Sequence, residues 1–390
     1  MRKILSLLMI LSLLTMSFAI FAEDTKAEDT KKEKITEEIT FDGEIEKLTL
    51  KEAKDKLLED NIMLRQLELA IKGQDAKFDE YMSPIYDLKS SPRVKDERQE
   101  GSLNNLKLVK LPEVKEQLML KNAERELIAG KNGLISGLEK AYFSTLQAKD
   151  NLIIKKESME LKKELLNQTN QKFDLGLVAK KDVLSAESDY LSAESEYDSA
   201  LDTFKSAKME LNILLGQEVM KNIELKDKLE KVDFEKVNIE KVINEALEKR
   251  YDVLNSKYTY KEANLNFRIL QGKYTLNTHK YKQADVNQLV MKKNYDTKIK
   301  EVKKEIRNNY MDILTNERKI KSSKKQVELA KEGFRLTKLS YDVGQTTLTQ
   351  VQEAENKYKL AKLGLSKALL NYNLSVIEFN DSISVGVLSQ

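Results

Sequence analysis

Cysteine is absent from the 390-residue sequence, and histidine occurs once, at His279. Without thiols the chain can form neither disulfide bonds nor thiolate metal sites, and it offers no cysteine for an N-terminal lipid anchor. With a single imidazole, the commonest catalytic and metal-binding constellations cannot be assembled within one protomer. The many carboxylates are spread along predicted helix surfaces, where they favour solubility and side-chain pairing. We therefore expect no catalytic residues, no cofactor, no metal and no enzymatic activity.

Residues that break helices are also scarce, because the sequence contains only three prolines and thirteen glycines. All three prolines, Pro84, Pro92 and Pro112, lie within the segment 83–112. This composition favours an almost entirely helical protein with one long interruption.

Neither sign of charge dominates, because 67 lysines and arginines nearly cancel 64 aspartates and glutamates. Domains that bind nucleic acid carry a clear excess of positive charge, and the net charge of this chain shows no such excess. We expect the charges to lie on solvated helix faces, and we expect no nucleic acid partner.

The chain begins with a targeting pattern. Two basic residues precede an apolar run over residues 4–20 that ends among small side chains. This pattern predicts a secretory signal peptide over residues 1–22, cleaved after Ala19 or Ala22; an uncleaved anchor is the alternative. Residues 23–44 are rich in charge and poor in apolar side chains, which predicts a flexible leader.

Helical periodicity covers most of the remaining chain. Apolar residues recur at intervals of three and four over residues 48–82, and the pattern resumes from 113 to 173. The second stretch corresponds to a helix of about 90 Å at 1.5 Å per residue, a length typical of coiled coils and helical repeats. Between the two, Ile85–Leu88 and Leu106–Leu111 are apolar pieces that predict a hairpin-like excursion.

A tetrapeptide recurs where a glycine interrupts the helical pattern. Phe173-Asp-Leu-Gly176 returns as Tyr341-Asp-Val-Gly344, at an offset of 168 in the numbering. The same offset pairs further residues without a gap, including Tyr142 with Tyr310, Val183 with Val351, Glu187 with Glu355, Tyr190 with Tyr358 and Ala193 with Ala361. The chain is therefore predicted to contain two copies of one helical unit.

The earlier helices of the two copies pair at a different offset. The segment 59–64 matches the segment 248–253, at an offset of 189, so the first copy has a longer connection between its long helices than the second. The predicted organisation is a first repeat over 45–216 with a connector at 83–112, an inter-repeat linker at 217–236, and a second repeat over 237–385 with a connector at 272–285.

In both copies the helix after the glycine has a seven-residue repeat in which a small side chain follows a large one by three positions. This pattern predicts left-handed antiparallel coiled coils, joined at Gly176 and Gly344, whose helices approach closely. We interpret the side chains of these rows as contacts that pack neighbouring helices into a wall, and not as residues that bind a ligand. The first-copy rows are Val183, Tyr190, Tyr197 and Phe204 beside Ala186, Ala193 and Ala200. The second-copy rows are Val351, Tyr358, Leu365 and Tyr372 beside Ala354, Ala361 and Ala368.

This tandem arrangement of long helix, connector, long helix, glycine tip and heptad helix resembles the TolC-type outer-membrane efflux family. The resemblance covers residues 45–385. The motifs that carry it are Phe173–Ala179 followed by Asp182-Val183, Tyr341–Thr346, the alanine rows, and Leu214-Leu215-Gly216. It implies an all-α-dominated fold in which the two repeats of long antiparallel coiled coils form a trimeric α-barrel, with short or reduced β-hairpins as connectors.

The function implied by the resemblance is transport. The chain would be a homotrimeric, passive export duct of the cell outer membrane and periplasm, in a drug-efflux or type I secretion system. It would dock a periplasmic adaptor protein, and an inner-membrane transporter would supply the substrate. The tip residues Gly176, Asp182, Tyr341 and Gly344 would take part in docking.

At the entrance, the acidic constriction of the family corresponds to Gln350 and Glu353, of which only Glu353 is charged. A ring of such carboxylates would favour cations. A further hypothesis is that Asp182 and Tyr341 share a hydrogen bond that holds the mouth closed.

The short connectors leave one alternative open. A hairpin that spans a bilayer needs about 22 residues, so the first connector is barely long enough and the second is too short. The alternative function is a periplasmic coiled-coil scaffold derived from the same repeat but without a pore.

Overall fold

A computed structural model describes residues 41–60, 62–90, 107 and 111–388. The predicted signal peptide, residues 23–40 of the predicted leader, and most of the first connector beyond residue 90 lie outside these residues. The two strands are β1 (Asp42–Leu48) and β2 (Lys221–Leu225). The helices are α1 (Leu50–Asp60), α2 (Ile62–Ser90), α3 (Pro112–Glu116), α4 (Asn122–Asp174), α5 (Lys180–Leu214), α6 (Ile239–Lys249), α7 (Tyr251–Gln271), α8 (His279–Asp342) and α9 (Leu348–Ile383).

Two helices run much longer than the rest. Helix α8 has 64 residues, which corresponds to about 96 Å. Helix α4 has 53 residues and is extended by a π-helical turn, Gln117–Lys121, and by α3 before it. Long helices of this kind gain their stability from lateral packing.

The helix boundaries reproduce the sequence repeat. The starts of α6 and α7 are displaced from those of α1 and α2 by the offset of 189, and the start of α9 is displaced from that of α5 by the offset of 168. Helices α4 and α8 end at Asp174 and Asp342, which are related by the second of these offsets. Both predicted offsets are therefore present as helix boundaries, and the predicted helical repeat is confirmed.

The long helices form the frame of a single layer. Helix α4 packs between α5 and α9, and α9 packs between α4 and α8. Toward the connector end, α2 packs on α4, and α7 packs on α8. Helices α5 and α8 therefore form the two edges of the layer.

Two strands join the ends of the first repeat. β1 and β2 pair in parallel, with Leu48 opposite Leu225. The hydroxyl of Tyr142, on α4, donates to Asp227 Oδ2 at 2.7 Å and lies 3.1 Å from the Leu48 carbonyl oxygen. Asp227 Oδ2 also accepts from the Leu50 backbone N–H at 2.8 Å. Burial and the nearby Asp227 carboxylate raise the pKa of Tyr142. The ring thereby fixes α4, β1 and the inter-repeat linker to one another.

The structure differs from the sequence expectations in several details of the connectors and termini. β1 begins at Asp42, inside the segment predicted as leader, because pairing with β2 satisfies its backbone. Ile85–Leu88 belongs to helix α2, which also contains Pro84, and Ile85 is buried on a helix face. The predicted linker 217–236 contains strand β2.

The second connector is a short turn between two helices and not a hairpin of strands. Residues 272–278 form turns, and helix α8 begins at His279, within the predicted connector 272–285. Thr278 explains this early start, because its hydroxyl accepts from the Tyr281 N–H at 3.4 Å as an N-cap. None of the described helices is both long and apolar enough to cross a bilayer.

We expect Tyr142→Phe to lower the free energy of unfolding by about 1.5–3 kcal/mol, because it removes a buried hydrogen bond to a carboxylate. Urea denaturation followed by circular dichroism would measure the change. Tyr190→Phe is the matched control, because the Tyr190 hydroxyl donates at 2.8 Å to Glu194 on its own helix, and both residues are less buried than Tyr142. Equal losses in the two variants would contradict the anchoring role of Tyr142.

Candidate functional site

The two helical hairpins end in the same turn. Gly176 and Gly344 have φ angles of 70° and 76°, in the left-handed region that favours glycine. The Leu177 N–H donates to the Lys172 carbonyl and the Gly176 N–H to the Phe173 carbonyl, each at 2.8 Å. In the second tip, the N–H groups of residues 345 and 344 donate in the same way to the carbonyls of residues 340 and 341. Both tips are therefore Schellman turns, which satisfy the carbonyl groups at the end of a helix.

The helix after each tip begins with a side-chain cap. Asp182 Oδ2 accepts from the Ala179 N–H at 3.1 Å. In the second tip, Gln350 Oε1 accepts from the Thr347 N–H at 3.1 Å, and the Thr347 hydroxyl accepts from the Gln350 N–H at 3.4 Å. Gln350 thus completes a capping box. Its amide is engaged by its own helix end, whereas Glu353 is exposed to solvent.

Tyr341 is buried within the protomer. Its ring packs with Leu165 and Val351, and the ammonium of Lys172 lies 3.8 Å from the ring centroid. Asp182 contacts its own cap instead. Packing and capping thus engage the two side chains separately in the protomer, and a Tyr341–Asp182 hydrogen bond that holds the mouth closed stays a prediction.

The predicted heptad rows lie along α5 and α9, facing α4 and α8. In the first copy, Val183 and the small residues Ala186, Ala193 and Ala200 are buried. In the second copy the buried members are Val351, Ala368 and Tyr372. The remaining members are partly exposed in the protomer: Tyr190, Tyr197, Phe204, Ala354, Tyr358, Ala361 and Leu365. The small residues thus permit close helix contact, while most of the large ones lie at its rim.

A buried ionic cluster lies where the two repeats meet. The Lys162 ammonium, on α4, is 3.4 Å from Glu355 Oε2 on α9 and 3.6 Å from Asp189 Oδ2 on α5. The Ser158 hydroxyl donates to Glu355 Oε1 at 2.8 Å. The side chains of Lys162 and Glu355 are each only 5% exposed. No local signal in the sequence predicts this cluster, since Glu355 stands out there only as the repeat partner of Glu187.

A second charged cluster lies one heptad farther from the tips. Glu196 on α5 accepts from Lys155 on α4 at 2.7 Å and from Lys359 on α9 at 3.0 Å. Burial opposes ionisation of Glu196, but these hydrogen bonds outweigh it and hold the pKa of that carboxyl below its usual value. The two clusters tie three helices together across the boundary between the repeats.

Exposed leucines occupy both edges of the layer. On α5, Leu184 and Leu191 are each 54% exposed, and on α8, Leu329 and Leu336 are 77% and 49% exposed. Leu184 lies eight residues after Gly176, and Leu336 lies eight residues before Gly344. Leu191 and Leu329 are each fifteen residues from the same glycines. The two edges therefore carry exposed leucines at matching distances from the tips. We refer to Leu184, Leu191, Leu329 and Leu336 as the leucine rungs.

The fold of the chain is shared with solved outer membrane proteins. VceC of Vibrio cholerae is 13% identical, with a TM-score of 0.71 over 86% of this chain and 96% of VceC. The CmeC channel of Campylobacter jejuni is 15% identical, with a TM-score of 0.70 over 87% of this chain and 86% of CmeC. The MtrE channel of Neisseria gonorrhoeae is 15% identical, with a TM-score of 0.65 over 87% and 91% of the two chains.

At the level of sequence, no curated protein matches the chain. Residues 243–380 match the family described as outer membrane efflux protein. The matched region runs from within α6 to near the end of α9. The sequence-based prediction of a TolC-like fold is confirmed. Residues 243–380 are therefore similar to the outer membrane efflux protein family, and the chain shares its fold with solved outer membrane proteins and channels.

Proposed function

We propose that the chain is the outer membrane channel component of a tripartite efflux or type I secretion system. Three copies would form a closed α-helical cylinder that acts as a passive duct, without enzymatic activity. The observation that carries the proposal is the open helical layer with matching leucine rungs on α5 and α8. Exposed apolar rungs on both edges favour closure by further copies of the same chain.

The heptad spacing of the rungs supports a lateral coiled-coil contact. Leu184 of one protomer would meet Leu336 of the next, and Leu191 would meet Leu329. Each leucine buried in this way contributes about 1.5–3 kcal/mol. A contact repeated at every edge leaves no edge exposed once the ring closes.

The tips would form the periplasmic entrance and dock the adaptor protein, as proposed for Gly176, Asp182, Tyr341 and Gly344. Three exposed apolar side chains support this: Leu175 and Leu177 at the first tip and Val343 at the second. Exposed apolar side chains mark contacts with a protein or a membrane, and at the periplasmic end of the duct the partner would be a protein. The inner-membrane transporter would reach the duct through the adaptor.

The alternative function, a periplasmic scaffold without a pore, has less support. A scaffold would not require matched rungs on both edges of a helical layer, and the similar solved structures are described as outer membrane proteins or channels.

The proposal is tested by asking whether protomers contact one another through α5 and α8. Because the chain has no cysteine, the pair Leu184→Cys and Leu336→Cys reports this contact on a clean background. Oxidation should yield covalent dimers and trimers on a denaturing gel, and the outer-membrane fraction should contain a heat-sensitive trimer that conducts ions in planar bilayers. The pair Leu184→Cys and Ile153→Cys is the control, since Ile153 is exposed on α4, which packs between α5 and α9. A soluble, non-conducting species without cross-links would refute the channel.

Glu353 gives a separate test of the entrance. In a trimer its three carboxylates would form a ring, whereas Gln350 is neutral and engaged in its cap. We expect Glu353→Gln to reduce the cation-to-anion permeability ratio roughly two- to fivefold, because it removes the fixed charge. The reversal potential under a KCl gradient measures this ratio.

The control for this measurement is Asp198→Asn, which removes an exposed carboxylate from α5 at a distance from the tip. An unchanged reversal potential in Glu353→Gln would show that Glu353 does not line the narrow part of the duct.

A further inference from the structure

The turn between α7 and α8 carries a local excess of positive charge. Between Glu262 and Asp285 the chain contains no aspartate or glutamate, but it contains Arg268, Lys273, Lys280 and Lys282. All four side chains are exposed. In a chain with a net charge of only +3, this segment alone carries four positive charges. We refer to Arg268, Lys273, Lys280, Lys282 and the turn 272–278 as the basic tip.

The positive charges of the basic tip are not neutralised within the described part of the chain. None of its four cationic side chains forms an ion pair with any residue in the described ranges. Instead, the Lys280 ammonium donates to the Tyr274 hydroxyl at 3.2 Å and lies 5.2 Å from the centre of that ring. The ammonium groups therefore remain available to an external anion.

An apolar side chain projects from the same turn. Leu276 is 68% exposed at its apex. Along the first turns of α8, Val286, Leu289 and Val290 add exposed apolar surface on the same side of the helix, at the spacing of one helical face. Lysines around exposed apolar and aromatic side chains are typical of segments that lie in the interface of a bilayer.

We propose that the basic tip docks on the anionic surface of a lipid bilayer, with its cationic side chains at the lipid phosphates and Leu276 among the headgroups. The proposal rests on the proposed function only in that a channel must have one end at a membrane. Charge complementarity favours a lipid partner, because the phosphates of the headgroups would neutralise the cationic side chains of the basic tip. The exposed leucine favours a lipid surface over a nucleic acid, which offers phosphates but no apolar layer at them.

The test compares binding of the purified full-length chain to two kinds of vesicle. One is phosphatidylcholine alone, and in the other phosphatidylglycerol replaces part of it. We expect binding to the anionic vesicles that weakens with added salt. Because each lysine near such a surface contributes about 1 kcal/mol, Lys273→Gln with Lys280→Gln and Lys282→Gln should weaken binding roughly 100-fold. Leu276→Ser should weaken it further at constant charge.

The matched control removes three lysines from the middle of α8, Lys319→Gln with Lys321→Gln and Lys324→Gln, all of them exposed. Circular dichroism verifies that all variants fold, and the oligomeric state and conductance of the same preparations test the channel separately. Equal losses in the basic-tip and control variants, or equal binding to both kinds of vesicle, would overturn the proposal. Competition by inorganic phosphate alone, or binding to RNA without binding to anionic vesicles, would also overturn it.

Discussion

Replacing Leu191 by aspartate is expected to convert the trimer into folded monomers. The substitution removes a leucine worth about 1.5–3 kcal/mol of burial at each of the three proposed contacts. It also places a carboxylate where the neighbouring protomer would present Leu329, and burial of an unpaired charge costs several kcal/mol more. Light scattering in detergent would measure the mass of the particle, and circular dichroism would confirm that the helices persist.

Ile153→Asp is the control for this substitution. Ile153 is 45% exposed, similar to the edge leucines, but it belongs to α4, which packs between α5 and α9 in the interior of the layer. We expect this variant to remain trimeric. A Leu191→Asp protein that kept the trimeric mass would show that α5 does not form the contact between protomers.

The second large effect concerns the buried ionic cluster. Lys162→Met should lower the free energy of unfolding by about 3–5 kcal/mol, because Glu355 would remain buried without its cation. Replacing both members, by Lys162→Met with Glu355→Leu, should recover most of the loss, since a buried apolar pair avoids the desolvation of two charges. Chemical denaturation of the three proteins under one condition provides the comparison.

The control is Lys362→Met, which breaks an ion pair between the same two helices at a more exposed position. Lys362 and Glu157 have side chains that are 22% and 56% exposed. Screening by solvent limits such a pair to less than about 1 kcal/mol. If Lys162→Met and Lys362→Met lowered the free energy of unfolding equally, burial of the Lys162 ion pair would have no effect on stability, which would contradict the prediction.

Repetition made much of the fold accessible to prediction. The recurrence of Phe173–Gly176 as Tyr341–Gly344 located both tips, since only a residue without a side chain readily adopts the left-handed φ that a Schellman turn requires. The two offsets, 168 and 189, reappear as the spacings between helix boundaries. Local signals of this kind act over a few residues and leave a direct trace in the sequence.

The features that were missed depend on contacts between residues far apart in the chain. Lys162 and Glu355 are separated by almost two hundred positions, and each alone looks like an ordinary charge on a helix. Gln350 was assigned to the entrance, but its spacing from Thr347 also fits a capping box, and the structure uses it there. The first three residues of β1 fall in the predicted leader, because their sequence gives no sign of the strand that pairs with them.

The parallel pairing of β1 and β2 also sets an order of events during synthesis. Asp42 pairs with Lys221, so the earlier strand leaves the ribosome long before the residues that complete its ladder. At roughly 5–20 residues per second, that delay lasts about 9–36 seconds, whereas an α-helical hairpin such as α4 and α5 closes through neighbouring sequence. We therefore expect the N-terminal strand to be among the last pieces of the first repeat to become ordered, although it is translated first.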